Sequence, residues 1–126
     1  MGKDDFSSIS ILMVDDESLM LSVLGSICAE LGIKTIHKAY NAKQAIQAIN
    51  QNKISITFLD TEMPDQNGIE TLKEIKEIDE KNYVVMLSGS GSLVTVKGAQ
   101  AAGASGFIVK PSSTQDIVEA LKLYQS

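Results

Sequence analysis

Short apolar runs and helical apolar stripes alternate five times along this chain, and nothing else in it restricts the fold as strongly. Ile9–Val14 is the first run; Met20, Val23, Leu24, Ile27, Cys28 and Leu31 then recur at helical spacing, with Gly32 placed to end the helix. Thr35–Ala39 is a weaker strand. Asn41 followed by Gln44 reads as a capping box, and Ala45, Ile46 and Ile49 form the stripe behind it. Ile54–Leu59 is a third strand, and Ile69, Leu72, Ile75 and Ile78 mark a third helix. Tyr83–Leu87 is an almost wholly apolar fourth strand, followed by SGSGS (Ser88–Ser92) and a helix bearing Val96, Ala99 and Ala102. Phe107–Val109 is the fifth strand. The last helix starts near Ser113 and buries Ile117, Val118, Leu121 and Tyr124.

Strands that alternate with helices predict βαβ units, and hence an α/β fold with a five-stranded parallel sheet covered by helices on both faces. Burial on both faces accounts for the Val, Ile, Leu and Met of the first, third and fourth strands. The 126 residues suit one domain with a single core, and no linker, repeat or low-complexity tract divides residues 1–126. Right-handed crossovers bring the carboxyl ends of all strands to one edge, where ligands of such sheets bind.

Composition narrows the function. A formal net charge of -5 disfavours a nucleic-acid surface, because phosphate contacts need clustered Lys or Arg. No apolar run approaches the roughly 20 residues that span a bilayer. The opening MGKDDFSS has no apolar core of a signal peptide, and Phe6 stands where a myristoylation signal wants Ser or Thr. Cys28, the one cysteine, lies in an apolar stripe and reads as a buried thiol in a reducing cytoplasm.

Four of the five strands finish on a side chain that can do chemistry: Asp15 and Asp16 after the first, Asp60 after the third, Ser88 after the fourth and Lys110 after the fifth. The parallel topology gathers them at one edge. Three neighbouring carboxylates repel one another unless a cation sits among them, and a hard oxygen-seeking ion, Mg²⁺ or Mn²⁺, suits such a set. Ser88 and Lys110 add donors that can hold phosphoryl oxygens. Each residue alone has a plainer reading: Asp15-Asp16 as a helix cap, Asp60 as a turn residue, Ser88 as a strand-end hydroxyl, Lys110 as a solvated charge. Their joint placement at one edge favours a site.

In this order, these residues resemble the receiver domain of bacterial two-component response regulators, from about Ser8 to Tyr124. The motifs that carry the resemblance are VDDE (Val14–Glu17), LDTEMPDQNG (Leu59–Gly68), MLSG (Met86–Gly89) and AGASGFIVKP (Ala102–Pro111). The resemblance implies a doubly wound, flavodoxin-like (βα)5 fold with strand order 2-1-3-4-5. It implies that Asp60 accepts a phosphoryl group from the phosphohistidine of a sensor histidine kinase or phosphotransfer protein. Asp16, Asp60 and the backbone carbonyl of Glu62 would then ligate Mg²⁺, with Asp15 acting through water. Lys110 would pair with a phosphoryl oxygen, Ser88 would rotate to another, and Phe107 would follow into the space left behind. The bond before Pro111 is usually cis in the family. The last two helices and the fifth strand would meet a downstream protein. Such proteins are not conventional enzymes, although they catalyse their own phosphorylation and dephosphorylation.

By the same resemblance, Glu62 and Ser90 would occupy the variable positions that flank the path of the hydrolytic water. Asn67-Gly68 replaces the more frequent Asp-Gly and keeps its turn chemistry. Phe107 replaces the common Tyr, and Gly89 stands where Ala is frequent, so a looser loop is expected around SGSGS. His37 and the methionines Met13 and Met86 read as structural. The alternatives are a phosphate sink or relay intermediate, a receiver-like docking module that no longer switches, and a haloacid-dehalogenase-type phosphatase. That last family needs a second Asp where this chain has Glu62. AGASGFIVKP and the lack of an attached effector lean toward chemotaxis.

Overall fold

The structure, a computed structural model, describes residues 6–89, 91–110 and 113–125. Strands β1 (Ser10–Val14), β2 (Thr35–Ala39), β3 (Ile56–Asp60), β4 (Tyr83–Ser88) and β5 (Gly106–Val109) alternate with helices α1 (Ser18–Glu30), α2 (Ala42–Gln51), α3 (Gly68–Ile78), α4 (Leu93–Ala101) and α5 (Thr114–Gln125). The strands form one sheet in the order β2-β1-β3-β4-β5, and every pairing is parallel. The expected α/β architecture and strand order are therefore both present. Strand ends differ by a residue or two from the sequence reading: β3 and β4 run on to include Asp60 and Ser88 themselves.

Local chemistry sets the helix boundaries. Gly32 takes φ +90°, a conformation that L side chains rarely adopt, while its N–H bonds the Ala29 carbonyl and that of Ile33 bonds Cys28. Asn41 caps α2 through the Gln44 N–H, and the Gln44 side chain reaches back to the Tyr40 N–H rather than to that of Asn41. Ser113 and Asp116 exchange side-chain bonds at the start of α5.

Two apolar layers sandwich the sheet. On one face Ile11, Met13, Phe58 and Val85 meet Leu21 and Leu24 of α1 and Leu121 of α5. On the other, Leu12, Leu59 and Met86 meet Ala45 of α2, Leu72 of α3 and Ala99 of α4. Cys28 is buried in the first layer, as expected, and burial pushes its thiol up to about 12. Met13 and Met86 are core residues. His37 sits half-buried in β2 opposite Leu12, short of the carboxyl edge.

One buried polar pair interrupts the second layer. The Thr57 hydroxyl donates to Asn82 Oδ1 at 2.8 Å, and Asn82 Nδ2 donates to the Ile54 carbonyl at 3.2 Å. Both side chains are closed to solvent. Lys76 closes the same corner by donating its ammonium to the backbone carbonyls of Glu80 and Asn82. Asn82→Ala strands a buried hydroxyl and a buried carbonyl, and should cost about 1–3 kcal/mol in urea unfolding. Adding Thr57→Val should recover part of that loss, because it removes the orphaned hydroxyl. A single variant within about 0.5 kcal/mol of wild type would rule out this role for the pair.

Candidate functional site at the carboxyl edge of the sheet

Asp15 and Asp60 repeat one local construction at the ends of adjacent strands. In each, Oδ1 accepts the N–H two residues on: Glu17 for Asp15 at 3.0 Å, and Glu62 for Asp60 at 3.1 Å. An aspartate that closes a turn in this way satisfies the first amide after the strand. The second oxygen is left pointing elsewhere, and in both residues it points at the same cation. Lys110 Nζ lies 2.9 Å from Asp15 Oδ2 and 3.2 Å from Asp60 Oδ2. The turn reading and the site reading of these aspartates are thus both met, each by a different oxygen. Neither Asp15 nor Asp16 caps α1, whose N-cap position is Glu17 with no side-chain cap bond.

Asp15 is fully buried, Asp60 is 5% exposed, and Asp16 is open to solvent. One oxygen from each of the three carboxylates lies within 4.8 Å of the others. Burial raises the Asp60 carboxyl above the ordinary range; the Glu62 amide opposes this, the charge of Asp15 adds to it, and Lys110 offsets it only in part. Burial alone would lower the Lys110 ammonium, but the combined pull of Asp15 and Asp60 overrides it and holds the group above its usual range. When all are ionised, one ammonium faces three carboxylates. The uncompensated charge and the all-oxygen donor set fit a hard divalent cation. Asp15, Asp16 and Asp60 are the side chains that could hold it, beside the Glu62 backbone.

Asp16, Glu17, Asp60, Glu62, Gly89 and Lys110 line a cleft of about 230 Å³. Ser88, only 2% exposed, ends β4 beside it, and its carbonyl accepts the Lys110 N–H at 2.7 Å. Ser88 also lines a neighbouring groove with Glu62, Thr95 and Gly98, so it stands at the partition between the α3–α4 groove and the carboxylates. Phe107 is half-buried against the α2–α3–α4 core and does not line the carboxylate cleft. Ser90 and the Lys110–Pro111 bond lie outside the described residues.

Two features of the loop between β3 and α3 go beyond its turn chemistry. Asp65 accepts the N–H groups of Ala42 and Lys43 at 3.0 and 3.1 Å, which ties the loop carrying Glu62 to the start of α2. The Ala42 amide, followed by that of Lys43, holds the Asp65 carboxyl below its usual range. In sequence Asp65 looks like any turn residue of MPDQNG, and its partners lie more than 20 positions away. Gly68, in turn, opens α3 so close to β3 that a Cβ there would come within 2.5 Å of the Asp60 carbonyl oxygen. The dipeptide Asn67-Gly68 carries that signal: Asn67 caps the helix through the Glu70 N–H, and Gly68 permits the approach.

Residues 11–122 match the family model described as the response regulator receiver domain. The chain is 35% identical over 111 residues to the chemotaxis protein CheY of Bacillus subtilis, covering 88% of this chain and 92% of that protein. It is 36% identical, over the same shares, to CheY of Thermotoga maritima. Among solved structures, a chain of the CheX-CheY-BeF3-Mg²⁺ complex from Borrelia burgdorferi aligns with a TM-score of 0.89 at 29% identity, covering 94% of this chain and 90% of that one.

The charge crowding predicts an unusual response to Asp60→Asn. A carboxyl raised in the folded state favours folding while protonated, and that benefit is lost as pH rises through its folded value. At pH 7 the metal-free variant should therefore exceed wild type by about 1 kcal/mol. The gain should shrink as acidification protonates wild-type Asp60. Saturating Mg²⁺ should stabilise wild type, by about 2.7 kcal/mol at 100 times Kd, and the variant less. Melting curves showing a pH-independent gain, or equal stabilisation by Mg²⁺, would exclude Asp60 from the crowded site.

Proposed function

The chain belongs to the response regulator receiver domain family, and from that premise we propose that Asp60 is its phosphoacceptor, loaded by the phosphohistidine of a sensor histidine kinase or phosphotransfer protein. The observation that carries this reading is the cluster of Asp15, Asp16 and Asp60, with the Lys110 ammonium paired to Asp15 and Asp60. A carboxylate oxygen of Asp60 forms the new bond to phosphorus as the bond from phosphorus to the imidazole nitrogen breaks. The electron pair leaves with an imidazole protonated on its other nitrogen, so the departing group is neutral. The Glu62 N–H holds Oδ1 of Asp60 in place throughout, which limits the rotation of the nucleophile.

Asp16, Asp60 and the Glu62 carbonyl would hold Mg²⁺, or Mn²⁺, directly, and Asp15 through water. The bound ion would supply positive charge that neutralises the phosphoryl oxygens during in-line transfer. Lys110 turns from the Asp60 carboxylate to a phosphoryl oxygen, and Ser88 donates its hydroxyl to another. Both movements draw on β4 and β5, whose ends are joined by the bond from the Lys110 N–H to the Ser88 carbonyl. Phe107 adjusts behind Ser88 on the same strand pair. The Glu62 side chain, exposed at the cleft, and Ser90 govern the approach of the hydrolytic water, so the protein catalyses its own loading and discharge without being a conventional enzyme.

The output surface is α4, β5 and α5, where exposed apolar side chains of Leu93, Val94 and Val109 would face a protein partner. Similarity to CheY proteins over most of their length favours a chemotaxis pathway. No described helix is long and apolar enough to cross a membrane, and we place the protein in the cytoplasm with its kinase.

Phosphotransfer from a phosphorylated kinase, followed on phosphate-affinity gels, tests this directly. Wild type should take up label in the presence of Mg²⁺, and Asp60→Asn should take up none. Glu62→Asn should load normally and discharge at a different rate. A wild-type protein that never loads would mark a docking module that does not switch.

Lys110→Ala should load yet fail to capture the partner that wild type gains on activation with beryllofluoride. Lys110→Arg should restore capture only in part, because a planar fork differs from a compact ammonium. Equal capture by Lys110→Ala and wild type would remove Lys110 from the switch.

A further inference from the structure

The output face carries a built recess whose chemistry specifies what enters it. β5 begins at Gly106, which pairs with Val85 of β4 and leaves no side chain on the α5 side of the sheet. A cavity of about 160 Å³ remains there between the sheet and α5. It is not a collapsed gap: a Cβ built on Gly106 would come no nearer than 3.4 Å to a Val85 methyl. Val85, Ile108 and Ala120 make apolar walls. Tyr83 supplies an aromatic wall, held by an edge-on contact with Tyr124 at a centroid distance of 5.4 Å and an interplanar angle of 76°.

The charged residues that line the recess are both acidic. Asp116 and Glu119 stand one helical turn apart on the face of α5 that lines it. Each already serves a neighbour: Asp116 accepts the Ser113 N–H, and Glu119 accepts the Gln115 amide. Neither forms an ion pair with another described residue. Apolar walls, an aromatic ring and two carboxylates suit a long aliphatic stem ending in a cation. The volume lies below the roughly 300 Å³ at which small-molecule pockets begin, and admits one side chain.

We infer that the recess between β5 and α5 is a docking subsite for an arginine side chain of the target protein. The aliphatic stem lies along Tyr83 and the guanidinium meets Asp116 and Glu119, a match of planar donors to carboxylates that a lysine makes less well. This rests on the output surface proposed above and adds the chemical signature of its partner. The recess shares no lining residue with the cleft that holds Asp60 and Lys110, so it can be occupied without contact with the carboxylates.

The test is an amide-resolved NMR titration of the unphosphorylated protein with blocked arginine (N-acetyl-arginine methylamide) and its neutral isostere, the citrulline analogue. Arginine should shift the amides of Gly106, Ile108 and Ala120, and citrulline should not. Glu119→Gln should weaken binding about threefold and the double variant with Asp116→Asn about tenfold. Gly106→Val, which fills the recess, should abolish it. Equal shifts from citrulline, undiminished binding in the charge variants, or no arginine-dependent shift would overturn the assignment. Tighter binding of free L-arginine than of the blocked form would assign the recess to a small molecule and overturn it equally. Because the titration needs no phosphate, its failure is separate from failure of wild type to accept label from a kinase.

Discussion

One ammonium group holds the working edge of this protein together. Lys110 sits between Asp15 and Asp60, where burial opposes every charge present, and the structure tolerates the crowding because the attraction is local and short. The lysine comes from the end of β5, and its partners from the ends of β1 and β3. Its own backbone N–H is fastened to the end of β4. A single residue therefore touches the ends of three of the four other strands, all but β2. Any chemistry that changes the charge on Asp60 is felt first by this ammonium, and through its main chain by β4.

The two buried aspartates show how a small fold makes this possible. Each ends a strand, and the amide two residues on must be satisfied as the chain turns. Spending one carboxylate oxygen on that amide fixes the side chain's rotation and leaves the other oxygen aimed at the site. Orientation of the Asp60 carboxylate is thus a by-product of turn formation. Asp65 extends the arrangement outward by fastening the loop that carries Glu62 to α2, and Gly68 lets α3 begin directly against the Asp60 main chain.

Most of this edge was legible in the sequence because parallel topology converts strand ends into neighbours: Asp15, Asp16, Asp60 and Lys110 come together, and Ser88 ends β4 beside them. Strand order was another matter, since hydrophobic pattern does not say which strands are adjacent; that order came with the family resemblance. Residues whose partners lie far along the chain stayed hidden. Asp65 has the composition of a turn, and only the folded chain shows that it caps a helix from another unit. Thr57 has the composition of any β-branched strand residue, and its partner Asn82 lies 25 positions away, before the next strand. Ser88 was placed at the right edge, but not at the wall between two clefts, because which way a side chain faces there depends on how α4 packs.

The Thr57–Asn82 pair has a metrical consequence. A strand buried on both faces reads every apolar residue alike, so Ile56, Phe58 and Leu59 would fit their pockets nearly as well after sliding along the sheet by two places. A buried hydroxyl has no such freedom, because it must find its amide. The pair lies three residues, roughly 10 Å, before Asp60 along β3. It acts as the zero mark of a ruler, and the distance counted from it determines where the carboxylate emerges at the opposite edge.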